Sequence, residues 1–140
     1  MATPITKVMW IMSTSTEAGA DSEMFVELHI PNLVTAEEQI AGTSGETKIV
    51  EIDASGEMML EEITPSDIEL SVDGDTPSSF NAWLPSSCLL LAKGTGTNYQ
   101  LVCAVPNWPA SLWFSADPSD HTDPPAVSGM LTLQNVLDAI

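Results

Sequence analysis

Asn81-Ala82-Trp83-Leu84-Pro85 leads through Cys88-Leu89-Leu90-Leu91 to Lys93-Gly94-Thr95-Gly96-Thr97-Asn98, then to Tyr99-Gln100-Leu101-Val102-Cys103 and Trp108. Two apolar runs flank a polar, glycine-containing loop, which is the signature of a β-hairpin. If Lys93 faces Asn98 across the turn, Cys88 faces Cys103 and Leu90 faces Leu101, because side chains alternate along a strand. Neither run alternates with polar residues, so both faces of the hairpin are expected to be buried, as in the middle of a sandwich. Trp83 precedes the first strand and Trp108 follows the second. Each brings a large apolar area and one N–H that needs an acceptor. The other segments must cover this hairpin.

Working outward, the preceding chain supplies further strands. In Ile5–Ser13, Val8, Trp10 and Met12 alternate with Lys7, Met9 and Ile11. In Met24–Ile30, Met24, Val26, Leu28 and Ile30 form the apolar face, with Phe25, Glu27 and His29 on the other, and Pro31 ends the run. Thr35-Ala36-Glu37-Glu38 fits a capping box and predicts a short helix over residues 35–41. Two turns are too few for such a helix to stand without packing. Strands are expected at Thr47–Ile52 and Ile68–Val72, with an ambiguous apolar patch at Met58–Ile63. Late in the chain come Ser111–Ser115, a proline-rich acidic loop from Asp117 to Pro125, and a last strand at Met130–Leu133. Leu133, Val136, Leu137 and Ile140 recur at helical spacing, as in a short C-terminal helix or an apolar tail that docks on a neighbour. Seven or eight short strands with closely spaced turns predict an all-β fold, an antiparallel sandwich of about eight strands in a single domain over residues 1–140.

The composition restricts function. The chain of 140 residues has 20 acidic residues, three lysines and no arginine, a net charge of −17. Nucleic acid and bare anionic membranes both demand cationic groups, so neither suits this chain. The acidity favours solubility, cation binding or a cationic partner, and it equally fits a merely solvated surface. Met1-Ala2-Thr3-Pro4 has no basic region before an apolar run, so no signal peptide is expected and the cytoplasm is the default compartment. No span is long and apolar enough for a transmembrane helix. Two cysteines are too few for a disulfide scaffold, and a reduced apolar pair is the default.

The order Val8–Ser13, Ala18-Gly19-Ala20-Asp21, Phe25–Ile30 resembles the PLAT domain (polycystin, lipoxygenase, alpha-toxin). In that family an opening strand leads to a turn ending Ala-Gly-Thr-Asp and then to the next strand. The later half is similar too: Ile68–Val72, the lead-in Ala82-Trp83-Leu84, the hairpin, and the close Leu101-Val102-Cys103 to Trp108. The likeness covers roughly residues 5 to 115. Ala20 stands for the usual threonine, residues 31–63 match poorly, and the usual basic residues are missing. The resemblance implies an eight-stranded sandwich and calcium ligation by the first loop, through Asp21 and the Gly19 carbonyl. Asp73 and Asp75, flanking Gly74, would join if the fold brings their loop near, since calcium takes six to eight oxygens. Ordinary turn chemistry explains the same Asp and Gly residues.

Catalysis has little support. No Gly-x-Ser-x-Gly elbow is present. His121 with Asp120 and Asp123 suggests at most a paired base or a weak metal site, and His29 lies within a strand. Asp117, Asp120 and Asp123 lack the spacing of a calcium-binding helix–loop–helix. The exposed contact candidates are Trp113 and Phe114, which as strand neighbours point to opposite faces, and the C-terminal Leu137 and Ile140. The sequence therefore leans away from an enzyme. It points to a non-catalytic binding module that contacts a protein or lipid partner through its loops, with calcium assisting. A self-assembling subunit of virion, sheath or filament type is the alternative, and a homo-oligomer belongs to that reading. A third is a small enzyme or carrier with an apolar pocket inside the sandwich, suggested by the seven methionines.

Overall fold

The computed structural model describes residues 3–20, 24–72, 82–123 and 126–140. In chain order the strands are β1 (Lys7–Thr14), β2 (Val26–Ile30), β3 (Val34–Glu38), β4 (Thr47–Asp53), β5 (Glu69–Val72) and β6 (Ala82–Trp83). They continue with β7 (Pro85–Lys93), β8 (Gln100–Val105), β9 (Trp113–Ser115), β10 (Val127–Ser128) and β11 (Met130–Thr132), and the helix α1 (Leu133–Asp138) follows. Single 3-10 turns stand at Leu60–Glu62, Pro65–Asp67 and Pro118–Asp120.

Two four-stranded antiparallel sheets form the sandwich, in the orders β4-β1-β7-β8 and β11-β5-β2-β3. A small sheet, β10-β9-β6, is added to them, and its β10–β9 pair is parallel. Alternation decides which side chains enter the core. From β1 these are Val8, Trp10 and Met12, and from β7 Cys88 and Leu90. From the second sheet come Val26, Leu28, Ile30 and Leu70. The fold class is therefore the expected all-β sandwich, divided into more and shorter strands.

Two local expectations fail. Residues 35–41 are not helical: Val34–Glu38 pairs with β2, placing His29 opposite Thr35 and Glu27 opposite Glu37. The cause lies just upstream. Pro31-Asn32 makes a tight turn, Leu33 N donating to Ile30 O at 3.0 Å, with Asn32 at φ 65°. Pro then Asn is the chemistry of a type II turn, and it returns the chain straight onto β2. The Thr35 hydroxyl bonds His29 Nδ1 at 2.7 Å instead of capping a helix.

The hairpin register also differs. Cys88 faces Val105, Leu90 faces Cys103, and Leu91 faces Leu101, with a bulge between the Leu90 and Leu91 levels. The loop is wider than a Lys93–Asn98 pairing requires, because Thr97 folds back on Gly94, its hydroxyl bonding both Gly94 N and Gly94 O. Ala92 and Gln100 close the ladder. Cys88 and Cys103 thus share the inner face one level apart, both as free, buried thiols. Burial raises the thiol pKa of each.

The C-terminal helix forms where its periodicity predicts. Thr132 Oγ1 accepts from Asn135 N at 3.1 Å while Asn135 Oδ1 accepts from Thr132 N at 2.9 Å, a reciprocal cap. Leu133 and Val136 are buried, so α1 docks on its own sandwich.

Candidate functional site

The loop expected to bind calcium is rooted in a defined stem. Gly19 has φ +80°, Ala20 N donates to Glu17 O at 3.1 Å, and Ala20 O accepts from Leu84 N at 3.2 Å. Asp21, Asp73 and Asp75 lie outside the described residues. The strands that flank them are neighbours: Val26 at the start of β2 pairs with Val72 at the end of β5. Among the described residues no group of three His, Cys, Asp or Glu side chains is placed to hold a metal.

The acidic loop is organised around Ser115 and Asp117. Asp117 accepts from Ser119 through both backbone N (3.0 Å) and hydroxyl (2.8 Å), and those bonds hold its carboxyl below the ordinary value. The Ser115 hydroxyl donates to Asp120 at 2.8 Å, while His121 Nε2 lies 2.9 Å from the Ser115 carbonyl. The serine is buried and its proton is directed to a carboxylate, so histidine does not activate it.

Of the proposed contact residues, Phe114 belongs to the core. It is fully buried, with ring centroids 5.6 Å from Trp83 and 5.8 Å from Trp108. Trp113, its neighbour on the opposite side of β9, is half-buried and packs against the core. Leu137 likewise packs against the core, because it follows Val136 on the docked side of α1, whereas Ile140 is largely exposed. A groove of about 440 Å³ opens beside α1, lined by Leu112, Met130, Leu131 and Asn135 among others.

The largest unexpected feature is the outer face of the β4-β1-β7-β8 sheet. The register sets its side chains in rows across the strands. One row is Asp53, Lys7 and Lys93. The next is Glu51, Met9, Leu91 and Leu101. The third is Ile49, Ile11, Leu89 and Ala104, and the last is Thr47, Ser13 and Ser87. The middle rows are apolar apart from Glu51, and Ile49 and Leu101 are 62% and 59% exposed. The unalternating hairpin sequence is a true signal of two apolar faces, but the described residues bury only one of them fully. The other outer face contrasts with it. There Glu27 faces Glu37 and Ser71, and His29 faces Thr35 and Glu69.

A polar network closes one end of the apolar face. Lys7 Nζ lies 3.3 Å from both Glu51 and Asp53, and the Tyr99 hydroxyl donates to Glu51 at 2.6 Å. Lys93 Nζ sits 4.8 Å from the Tyr99 ring centroid. Tyr99 precedes β8 and Glu51 is on β4, at the opposite edge, so the tyrosine lies across the sheet. Hydrogen bonds from Tyr99 and then Lys7 hold the Glu51 carboxyl below its usual value. Asp53 and then Glu51 raise Lys7. Burial, followed by the bond to Glu51, pushes the phenol up to about 12.

Comparison with protein-family models, curated proteins and solved structures gave no match. No helix among the described residues is long and apolar enough to cross a membrane.

Proposed function

We propose that this chain is a non-catalytic β-sandwich binding module, PLAT-like in plan, that engages a protein partner through the outer face of the β4-β1-β7-β8 sheet. The exposure of Ile49 and Leu101 at the two edges of a half-buried apolar centre carries this reading. Contiguous apolar patches with polar rims mark contact surfaces, whereas scattered apolar residues do not. A lipid partner suits the chain less well, because a net charge of −17 repels anionic headgroups. The test is a photo-crosslinking side chain placed at Ile49 or Leu101, with Glu37 on the opposite face as control, in the cells that make the protein. Discrete adducts at 49 and 101 and none at 37 are expected. Failure to crosslink at 49 and 101 would refute the contact surface.

A second reading, calcium-assisted contact through the loops carrying Asp21, Asp73 and Asp75, is favoured by the Val26–Val72 pairing, which roots both loops on adjacent strands. A thermal melt in calcium against chelator, with magnesium as control, tests it. A site saturated at about 100 times its Kd stabilises by roughly 2.7 kcal/mol, and an unchanged melt removes the reading.

A further inference from the structure

We propose that the partner of this face is a second copy of the same chain, the two β4-β1-β7-β8 sheets stacking outer face to outer face about a two-fold axis. This rests on the reading of the face as a contact surface and adds the identity of what covers it.

Charge placement carries the inference. The face holds Lys7 and Lys93 against Glu51 and Asp53, so it is neutral, and the entire net charge of −17 lies elsewhere on the chain. A strongly acidic protein repels its own copies over most of its surface. This is a surface on which two copies meet without opposing carboxylates, and it is also the apolar one. The opposite outer face, with Glu27 directly across from Glu37, has neither property.

The rows supply the orientation. The end crossed by Tyr99 is raised and charged, and the end with Thr47, Ser13 and Ser87 is low and uncharged. A two-fold axis in the plane of the face and across the strands lays the raised end of each copy over the low end of the other. The apolar middle rows then meet, and the lysines do not oppose each other. Such an isologous contact closes as a dimer.

The area sets the strength. Four strands about 4.8 Å apart and about seven residues long cover roughly 19 by 23 Å, near 440 Å² per copy in projection. That is below the ~800 Å² per partner of a standard interface, which predicts a weak, reversible dimer. Because repulsion between the acidic bodies opposes it, raising salt from about 0.05 to about 1 M should tighten it about tenfold, as the Debye length falls to ~3 Å.

Sedimentation equilibrium of the full chain, up to about 1 mM and across that salt range, is the test. The expected result is a monomer–dimer equilibrium strengthened by salt. Ile49→Lys and Leu101→Lys should each weaken it more than about tenfold, the loss from an apolar anchor replaced by a charge within the contact. Glu37→Lys should not weaken it. Each lysine lowers the net negative charge, so a loss of pairing at 49 or 101 cannot come from added repulsion. Both sites are exposed, and far-UV circular dichroism verifies folding. A chain that stays monomeric at the highest concentration and salt, or a dimer indifferent to both face substitutions, overturns the proposal. A monomer that still crosslinks to another protein at 49 and 101 defeats self-pairing and leaves the contact surface standing. A monomer without crosslinks defeats both.

Discussion

Replacing Thr14 with valine removes one oxygen and little else, yet it should be among the costlier changes in β1. Thr14 is 1% exposed. Its hydroxyl oxygen accepts from the Trp83 indole N–H at 3.0 Å and from Gly42 N at 3.1 Å. It ties the end of β1 to the strand β6 and to the loop before β4. Valine matches the shape and strands both donors in the interior. Each stranded donor costs about 1–3 kcal/mol, so the pair should cost roughly 2–6 kcal/mol. At about 2.1 cal/mol/K per residue, a chain of 140 residues loses some 3–4 °C of Tm per kcal/mol, and the fall should be about 7–20 °C. Thr14→Ser keeps the acceptor, loses a methyl, and should cost only about 1 kcal/mol. Urea unfolding followed by tryptophan fluorescence, with thermal circular dichroism, separates the two. A valine variant melting within ~2 °C of the wild type, or a serine variant less stable than the valine one, would refute the hydrogen-bond argument. Among the described residues the indole N–H of Trp10 is buried without an acceptor, while Trp108 donates to Leu112 O at 2.9 Å. The comparison therefore asks whether Trp83 can join Trp10 without penalty.

Tyr99 is the one tyrosine of the chain, so phenolate absorbance reports it alone. Its midpoint should lie at about 12 and fall in Glu51→Gln, while the part of the rise due to burial remains. Because the folded value is raised, the contribution of this contact to stability is present below pH 10 and is lost as pH rises through about 12. The Glu51 side has the opposite sign: its pKa is lowered, so its contribution holds above the ordinary carboxylate range and is lost as pH falls through that range. Phe114→Ala should cost about 3–5 kcal/mol by denaturant unfolding, as for a buried ring between two indoles, where a surface contact residue would cost almost nothing. Gly56→Ala should destabilise by about 1–3 kcal/mol, since its Cβ would meet Asn32 O at the β2–β3 turn and the backbone must shift. A melt unchanged in that variant would contradict the close approach.

Much of the sandwich could be read from period-2 burial. Val26, Leu28 and Ile30 were legible because Glu27 and His29 alternate with them. The capping box at Thr35–Glu38 misled because a local helix signal two turns long is weaker than a turn that delivers the same residues to a waiting strand. The hairpin misled in a different way. Apolar residues on both faces were legible, but whether the second face is covered by the chain or left to a partner depends on the number of layers, which no single strand encodes. Phe114 and Trp113 could be divided between two faces by alternation, but only the packing of Trp83 and Trp108 decides which face is inside. The register of β7 and β8 turned on Thr97 binding back to Gly94, a turn geometry that pair arithmetic does not contain.

The place of β1 in its sheet has a consequence for biosynthesis. Its partner on one side is β7, and Trp10 pairs with Leu90. The ribosome must therefore add about eighty residues, several seconds of synthesis at ~5–20 residues per second, before the most apolar strand of the amino-terminal half is enclosed. Through that interval the nascent chain carries Val8, Met9, Trp10, Ile11 and Met12 in sequence, with Lys7 as the nearest charge. The carboxylates at Glu17, Glu27, Glu37 and Glu38, made soon afterwards, keep unfinished chains apart by mutual repulsion. On this view the acidity of the protein protects it most while it is still being made.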